Sequence, residues 1–281
     1  MPNFLHRTLI FFVTLLATHC AVIEKEPLAV TQKIIPTSSG GSQSNPQPGV
    51  YLASTVVSAP GNTGAGYYNQ QNIINGVRGA GLTSGSFDVF SLDNIGASSS
   101  VTVSWSGKTV QNVTGIDFVV YENAFQVGGN ILNSFMDLAF VEVSSDDINY
   151  CGFATAYTNI PATTYSSDPL KWQNFAGKSA VLYNQDTNNL TATDLFVDNN
   201  NDRIPDLGGG DGFDLSLLSS SNYYNTGCSV AVRDNLILNG FRYLRLTPAA
   251  RRIDPNTGVN FVTDPIANGP DFDGVVARSI F

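Results

Sequence analysis

The sequence predicts an all-β protein, an antiparallel β-sandwich with long loops. Three observations predict it. After residue 50 the text is a series of short apolar–polar alternations, the period-two pattern of half-buried strands, each broken by Gly, Asn, Asp or Pro. Helical periodicity is scarce. Charged residues make up only 13% of the chain while Gly, Asn, Ser and Thr abound, as in exported β-proteins with many turns.

The elements follow in order. Val101-Thr-Val-Ser-Trp105 alternates cleanly, as does Phe118 through Tyr121. Phe140-Val-Glu-Val-Ser144, the turn Ser145-Asp146-Asp147 and the returning Ile148–Phe153 read as a hairpin. Phe241–Thr247 alternates apolar residues with Arg242 and Arg245, and Asp273–Ile280 closes the chain as a strand. Short helices are expected near Ser134–Asp137 and Leu215–Ser219. No internal repeat is visible.

The first twenty residues read as an export signal. Arg7 sits in a short charged start, and the apolar run Leu9–Ala17 is too short to span a bilayer. Cys20 follows it, which is the arrangement of a lipoprotein leader cleaved before an acylated cysteine. Residues 1–19 are thus expected as a signal peptide and residues 20–49 as lipidated Cys20 with a flexible tether. Residues 50–281 are then a single large β-sandwich domain. Leu16-Ala-Thr-His-Cys20 is similar to the relaxed cleavage boxes of spirochaete lipoproteins; ordinary cleavage nearby, leaving a free Cys20, is the alternative. The tether is Pro- and Ser-rich with no apolar periodicity, as in Thr37–Pro46.

Cleavage would remove His6 and His19, the two histidines of the chain. Ser-His-Asp and Cys-His catalysis and imidazole metal sites would then be excluded, leaving oxygen-ligand metals and paired carboxylates. The net charge of −9 would become one unit more negative with the loss of Arg7. An acidic chain of this kind is a poor partner for nucleic acid or anionic headgroups, and a good one for cations. With Cys20 acylated, Cys151 and Cys228 remain, either as a disulfide stabilising by roughly 4 kcal/mol or as separate buried thiols.

Several runs together resemble a family of bacterial cell-surface proteins built on a jelly-roll akin to galactose-binding and discoidin domains. They are Asp88–Leu92, Ser100–Trp105 and Asp117-Phe-Val-Val-Tyr-Glu-Asn-Ala-Phe125, similar to D-F-x-V-F-E-N-x-F. Phe140–Asp146 is similar to V-E-V-S-x-D-G, with Asp147 where Gly is usual. Gly208–Leu215 is similar to G-G-D-x-F-D-L, Arg242–Leu246 to R-Y-V-R-L, and Gly269–Val276 to a G-F-D-L-D-A-V ending. The resemblance spans residues 86–281 and implies a jelly-roll sandwich and a surface location.

The densest polar cluster is Asp198-Asn-Asn-Asn-Asp-Arg-Ile-Pro-Asp206. Oxygens at Asp198, Asn200, Asp202 and Asp206 have the spacing that wraps a loop around Ca²⁺, and the run is similar to thrombospondin type 3 loops. It is not an EF-hand, because Arg203 stands where the sharp turn needs Gly. A solvated Asx turn is the simpler alternative. Asp211, Asp214, Asp271 and Asp273 form a second acidic set that could converge on calcium at one end of the sheets, or cap turns. Glu122, on an apolar strand, needs a metal or a partner such as Arg242 or Arg245. Glu122 and Glu142 could be a glycosidase pair only at ~5.5 Å separation, and alternation sends Glu142 to the face away from the core and into solvent. Tyr67, Tyr68, Tyr223 and Tyr224 stand in Gly/Asn-rich loops, as binding aromatics or as packing lids. Trp105 and Trp172 read as packing.

The expectation is a non-enzymatic, outer-membrane, surface-exposed lipoprotein, held in the membrane by its lipid, that binds a host or matrix protein or a glycan. A structural envelope lipoprotein and a carboxylate-dependent glycan hydrolase are the alternatives.

Overall fold

A computed structural model describes residues 49–60, 67–93, 99–188, 190–219, 227–266 and 268–281. The leader, Cys20, the tether, Tyr223 and Tyr224 lie outside them. In chain order the first strands are β1 (Tyr51–Leu52), β2 (Thr55–Ser58), β3 (Phe90–Ser91), β4 (Val101–Ser104), β5 (Phe118–Glu122), β6 (Phe125–Gln126) and β7 (Ser134–Phe135). They continue with β8 (Ala139–Ser144), β9 (Cys151–Phe153), β10 (Ala156–Tyr157), β11 (Trp172–Gln173), β12 (Asp211–Phe213), β13 (Leu218–Ser219), β14 (Tyr243–Pro248) and β15 (Asp271–Ala277). Two α-helices occur among them, α1 (Ala192–Phe196) and α2 (Val230–Asn239).

The strands form two main antiparallel sheets, so the chain is an all-β sandwich. One sheet runs β1-β15-β5-β12, with β3 beside the start of β15; the other runs β13-β9-β8-β14-β4-β2. The layer between them is apolar because alternate residues of both sheets turn inward: Phe118, Val120, Phe213 and Val275 from the first, Val103, Val141, Val143, Leu244 and Leu246 from the second. Phe118 lies 5.3 Å from Phe213 and 5.3 Å from Phe241, and Phe153 lies 4.9 Å from Phe213. These offset and edge contacts hold the sheets together beyond simple burial.

The outer faces are covered too. Val119, Tyr121 and Val276 of the first sheet pack under Val181, Leu195 and Phe196. Both faces of β5 are thus buried, and Phe118–Tyr121, expected to alternate, is apolar throughout. Phe140 of the second sheet packs with Trp172, Phe175 and Phe261, and Trp172 stacks on Tyr157 at 3.7 Å. The β10–β11 hairpin and the stretch after β14 supply this cover.

The start of the described chain ties both sheets together. Gly49 N donates to Arg278 O and Ala53 N to Val275 O in the first sheet; Ser54 N then donates to Ser104 O in the second, and β2 pairs β4. Cys151 and Cys228 form the disulfide, closing 77 residues and joining β9 to the segment that leads into α2.

Three local expectations change. Ser134 and Phe135 are strand, paired with β6 so that Phe135 stacks on Phe125 at 5.3 Å. Leu215–Leu217 is one 3-10 turn capped by Asp214, after which Leu218–Ser219 joins the second sheet. The longest helix among the described residues, α2, has no apolar stripe in its sequence: Leu236 is buried while Val230 and Leu238 are exposed. Its ends hold it, with Ser229 Oγ accepting from Val232 N and Gly240, at φ 79°, donating to Leu236 O.

Candidate functional site

Of the acidic residues expected to share an ion, Glu122, Asp211 and Asp271 are neighbours and the others stand in separate places. Asp198, Asn200, Asp202 and Asp206 stand in one loop that closes on itself. Asp198 accepts from Asp202 N at 3.1 Å and Arg203 N at 2.8 Å, Asp202 from Ile204 N at 2.8 Å, and Asp206 from Asn199 Nδ2 at 2.6 Å. Asp214 caps its turn through Ser216 N and Ser216 Oγ. Asp273 is the extra residue of a bulge in β15, where Phe272 opposes Glu122 and Gly274 opposes Tyr121. It accepts from Arg78 N at 2.8 Å and Ser86 Oγ at 2.6 Å, and burial raises its pKa to about 6. Asp214 and Asp273 therefore stand apart, whereas Asp211 and Asp271 are both neighbours of Glu122. Among the described residues no three His, Cys, Asp or Glu side chains stand together as a metal would require.

Glu122 is buried as expected, but neither Arg242 nor Arg245 is its partner. Its neighbours are acidic: Asp137, Asp271 and Asp211. Asp271 N donates to Oε1 at 3.0 Å, while Oε2 is buried with no hydrogen-bond partner. Burial, reinforced by the Asp137 charge, raises its pKa well above the ordinary glutamate value. Burial likewise raises Asp271, which accepts from Ser91 Oγ.

Glu142 does face away from the inter-sheet layer, yet it is 1% exposed rather than in solvent. Arg245 Nε and Arg252 NH2 reach the same oxygen at 3.0 and 2.9 Å. The cover that excludes water is the chain after β14, which brings Arg252 back over β8.

A buried acid that the sequence reading passed over is Asp117. Its two oxygens accept from Val113 N at 2.6 Å and Leu215 N at 2.7 Å, joining the entry of β5 to the turn after β12. Burial raises its pKa to about 7 against those two bonds. Asp117 stood in the sequence immediately before an apolar run, which was its signal.

A concave feature of the described surface lies elsewhere, among three loops remote in sequence. A cleft of about 380 Å³ opens between Ile131–Leu132 after β6, Pro169–Lys178 around β11, and Asn201–Ile204, with Asp211 and Phe213 at its base. Its base is aromatic, formed by Trp172, Phe175 and Phe213, while its rim carries Ile131, Leu132 and Leu170, exposed by 68, 50 and 67%. Asp211 accepts from Gly177 N, Lys178 N and Ser179 Oγ at 2.8, 3.0 and 2.6 Å, and Lys178 Nζ lies 3.7 Å away. Burial still raises the Asp211 pKa. Of the residues expected from sequence, Asp202 and Asp211 line this cleft. Glu122 and Glu142 do not. Tyr67 and Tyr68 are exposed, 41 and 60%, on a different part of the surface.

Comparison of the chain with protein families, characterised proteins and solved structures returns no match.

Proposed function

We propose that this chain is a displayed recognition module whose cleft holds an apolar segment of a protein partner. The observation that carries the reading is the ring of exposed aliphatic side chains, Ile131, Leu132 and Leu170, around an aromatic base. Large apolar groups left in water around a concavity mark a place where something else removes that water. A sugar platform would instead present aromatic faces, and the aromatic rings here form the base under aliphatic cover. Protein is therefore favoured over glycan. Export, acylation at Cys20, surface display and the jelly-roll topology belong to the same proposal and rest on the sequence and the resemblance.

A random peptide library selected against the protein, with an Ile131→Asp/Leu170→Asp variant as counter-target, tests the cleft. Aliphatic-rich peptides that bind the native protein and lose the variant, with its melting curve unchanged, support the reading. Peptides binding both equally would reject the cleft, and a glycan-array response insensitive to the variant would favour the saccharide alternative.

Calcium enters the proposal only at the Asp198–Asp206 loop, whose carboxylates keep acceptor capacity beyond their present bonds. Calorimetric titration with Ca²⁺ and a melting curve in chelator test it. Heat on titration and a lower melting temperature in chelator support the ion; absence of both removes it and leaves the cleft reading untouched.

A further inference from the structure

Two cations line the cleft, and they differ. Lys178 has its carboxylate at home in Asp211, which also takes three protein donors. Arg203 has none: among the described residues no carboxylate lies within ion-pair distance of its guanidinium, although the protein is acidic and Asp202 is its chain neighbour. One N–H of its fork goes to the neutral Asn174 side-chain oxygen. A guanidinium carries five donors and cannot shed its charge, so an unpaired one beside apolar side chains is a site for an anion.

The backbone around it is held in a costly shape. Five non-glycine residues among those described have left-handed φ, and three of them, Asn174 (60°), Asn201 (59°) and Arg203 (66°), line this cleft. An arginine keeps this conformation only where neighbours enforce it. Asp198 enforces it through Arg203 N, at 2.8 Å, and Asn174 braces the side chain while its own Nδ2 donates to Ala154 O. The Asp198–Asp206 loop thus serves as a mount that carries Arg203 to the cleft.

We infer that Arg203 sets the specificity of the cleft, for a carboxylate borne by an apolar peptide segment. This rests on the cleft reading above. The ligand's aliphatic side chains meet Ile131, Leu132 and Leu170, its carboxylate meets the Arg203 fork, and the Gln173 side-chain amide in the cleft lining is the partner for a peptide main chain. A fatty acid would satisfy the first two but leave that amide unused, which favours peptide.

The test uses two peptides, acetyl-Ile-Leu-Glu-Leu-Ile-amide and its Gln counterpart, titrated calorimetrically into the native protein, Arg203→Gln, Arg203→Lys and Leu170→Asp, with decanoate and decanol as a lipid arm. The Glu peptide is expected to bind about tenfold tighter than the Gln peptide, as a charge-assisted bond implies. Arg203→Gln should abolish that preference while leaving the Gln-peptide affinity and the melting temperature in place. Arg203→Lys should restore part of it, and added salt should shrink it. Equal affinities in the native protein, or a preference that survives Arg203→Gln, overturn the role of Arg203; if Leu170→Asp still weakens both peptides, the cleft reading stands without it. An Arg203-dependent decanoate response without peptide binding overturns the peptide assignment. No binding of any probe overturns both inference and cleft.

Discussion

Glu122 and Glu142 are the same residue type, each on a central strand and each shut away from water, and the two sheets handle them in opposite ways. Glu142 on β8 keeps its charge answered by Arg245 and Arg252 on one oxygen, with the Arg245 guanidinium also 3.8 Å over the Tyr150 ring. Glu122 on β5 has three aspartates for company, one oxygen without a hydrogen bond, and a pKa driven upward. The lesson is that burial alone does not set an acid's electrostatic surroundings; the neighbours decide, and here one glutamate has two guanidiniums while the other has aspartates that push its pKa up.

The comparison is broken most directly by mutation. Glu142→Ala leaves two guanidiniums facing each other with their counter-ion gone and is expected to cost roughly 3 kcal/mol, the low end for a broken buried pair because both arginines are partly exposed. Glu122→Gln keeps the acceptor for Asp271 N and breaks no ion pair among the described residues, so its effect should stay within about 1 kcal/mol. Urea denaturation of both variants decides it: equal losses would mean that Glu122 is ionised and paired after all. A smaller effect, about 1–2 kcal/mol, is expected for Asp117→Asn, because the amide offers one oxygen where Val113 N and Leu215 N now have two.

The pH dependence sharpens the contrast without mutation. Asp117 (raised to about 7), Asp273 (raised to about 6) and Glu122 hold protons more tightly folded than unfolded. The stability they contribute is complete below the unfolded carboxyl pKa, near 4, and is lost as pH rises through the folded values. The melting temperature should therefore fall between about pH 4.5 and 7.5. Asp146 and Asp194, lowered by backbone N–H bonds, act with opposite sign, below pH ~4, and leave that window clear. Melting curves across it should flatten at the upper end in Asp117→Asn; a profile that rises with pH in the native protein would contradict the burial argument.

Fold class was legible because strands announce themselves by period two. Val101–Ser104, Phe118–Glu122, the β8–β9 hairpin, β14 and β15 all lie where alternation put them. Alternation also placed Glu142 on the outer side of its sheet, but not the cover over it, which comes from residues more than a hundred positions later. The helix α2 was invisible because its apolar residues are not confined to one face: Val232, Leu236 and Ile237 pack on the core while Val230 and Leu238 are exposed. The cleft was equally illegible, since three loops far apart in sequence build it. Arg203 did leave a trace: it occupies the sharp-turn position of the Asp198–Asp206 loop where Gly is usual, and its left-handed φ there is that oddity in three dimensions.

The ten residues from Gly49 to Ser58 also define how the domain would carry mechanical load. A pull on the chain ahead of Gly49 reaches the first sheet through β1, two residues long and bonded to β15, the last strand of the chain. So few bonds share the force that they open in sequence, and the pull then arrives at β2 on the edge of the other sheet. The two sheets are thus loaded one after the other, with the inter-sheet layer and the disulfide spared until β2 gives way.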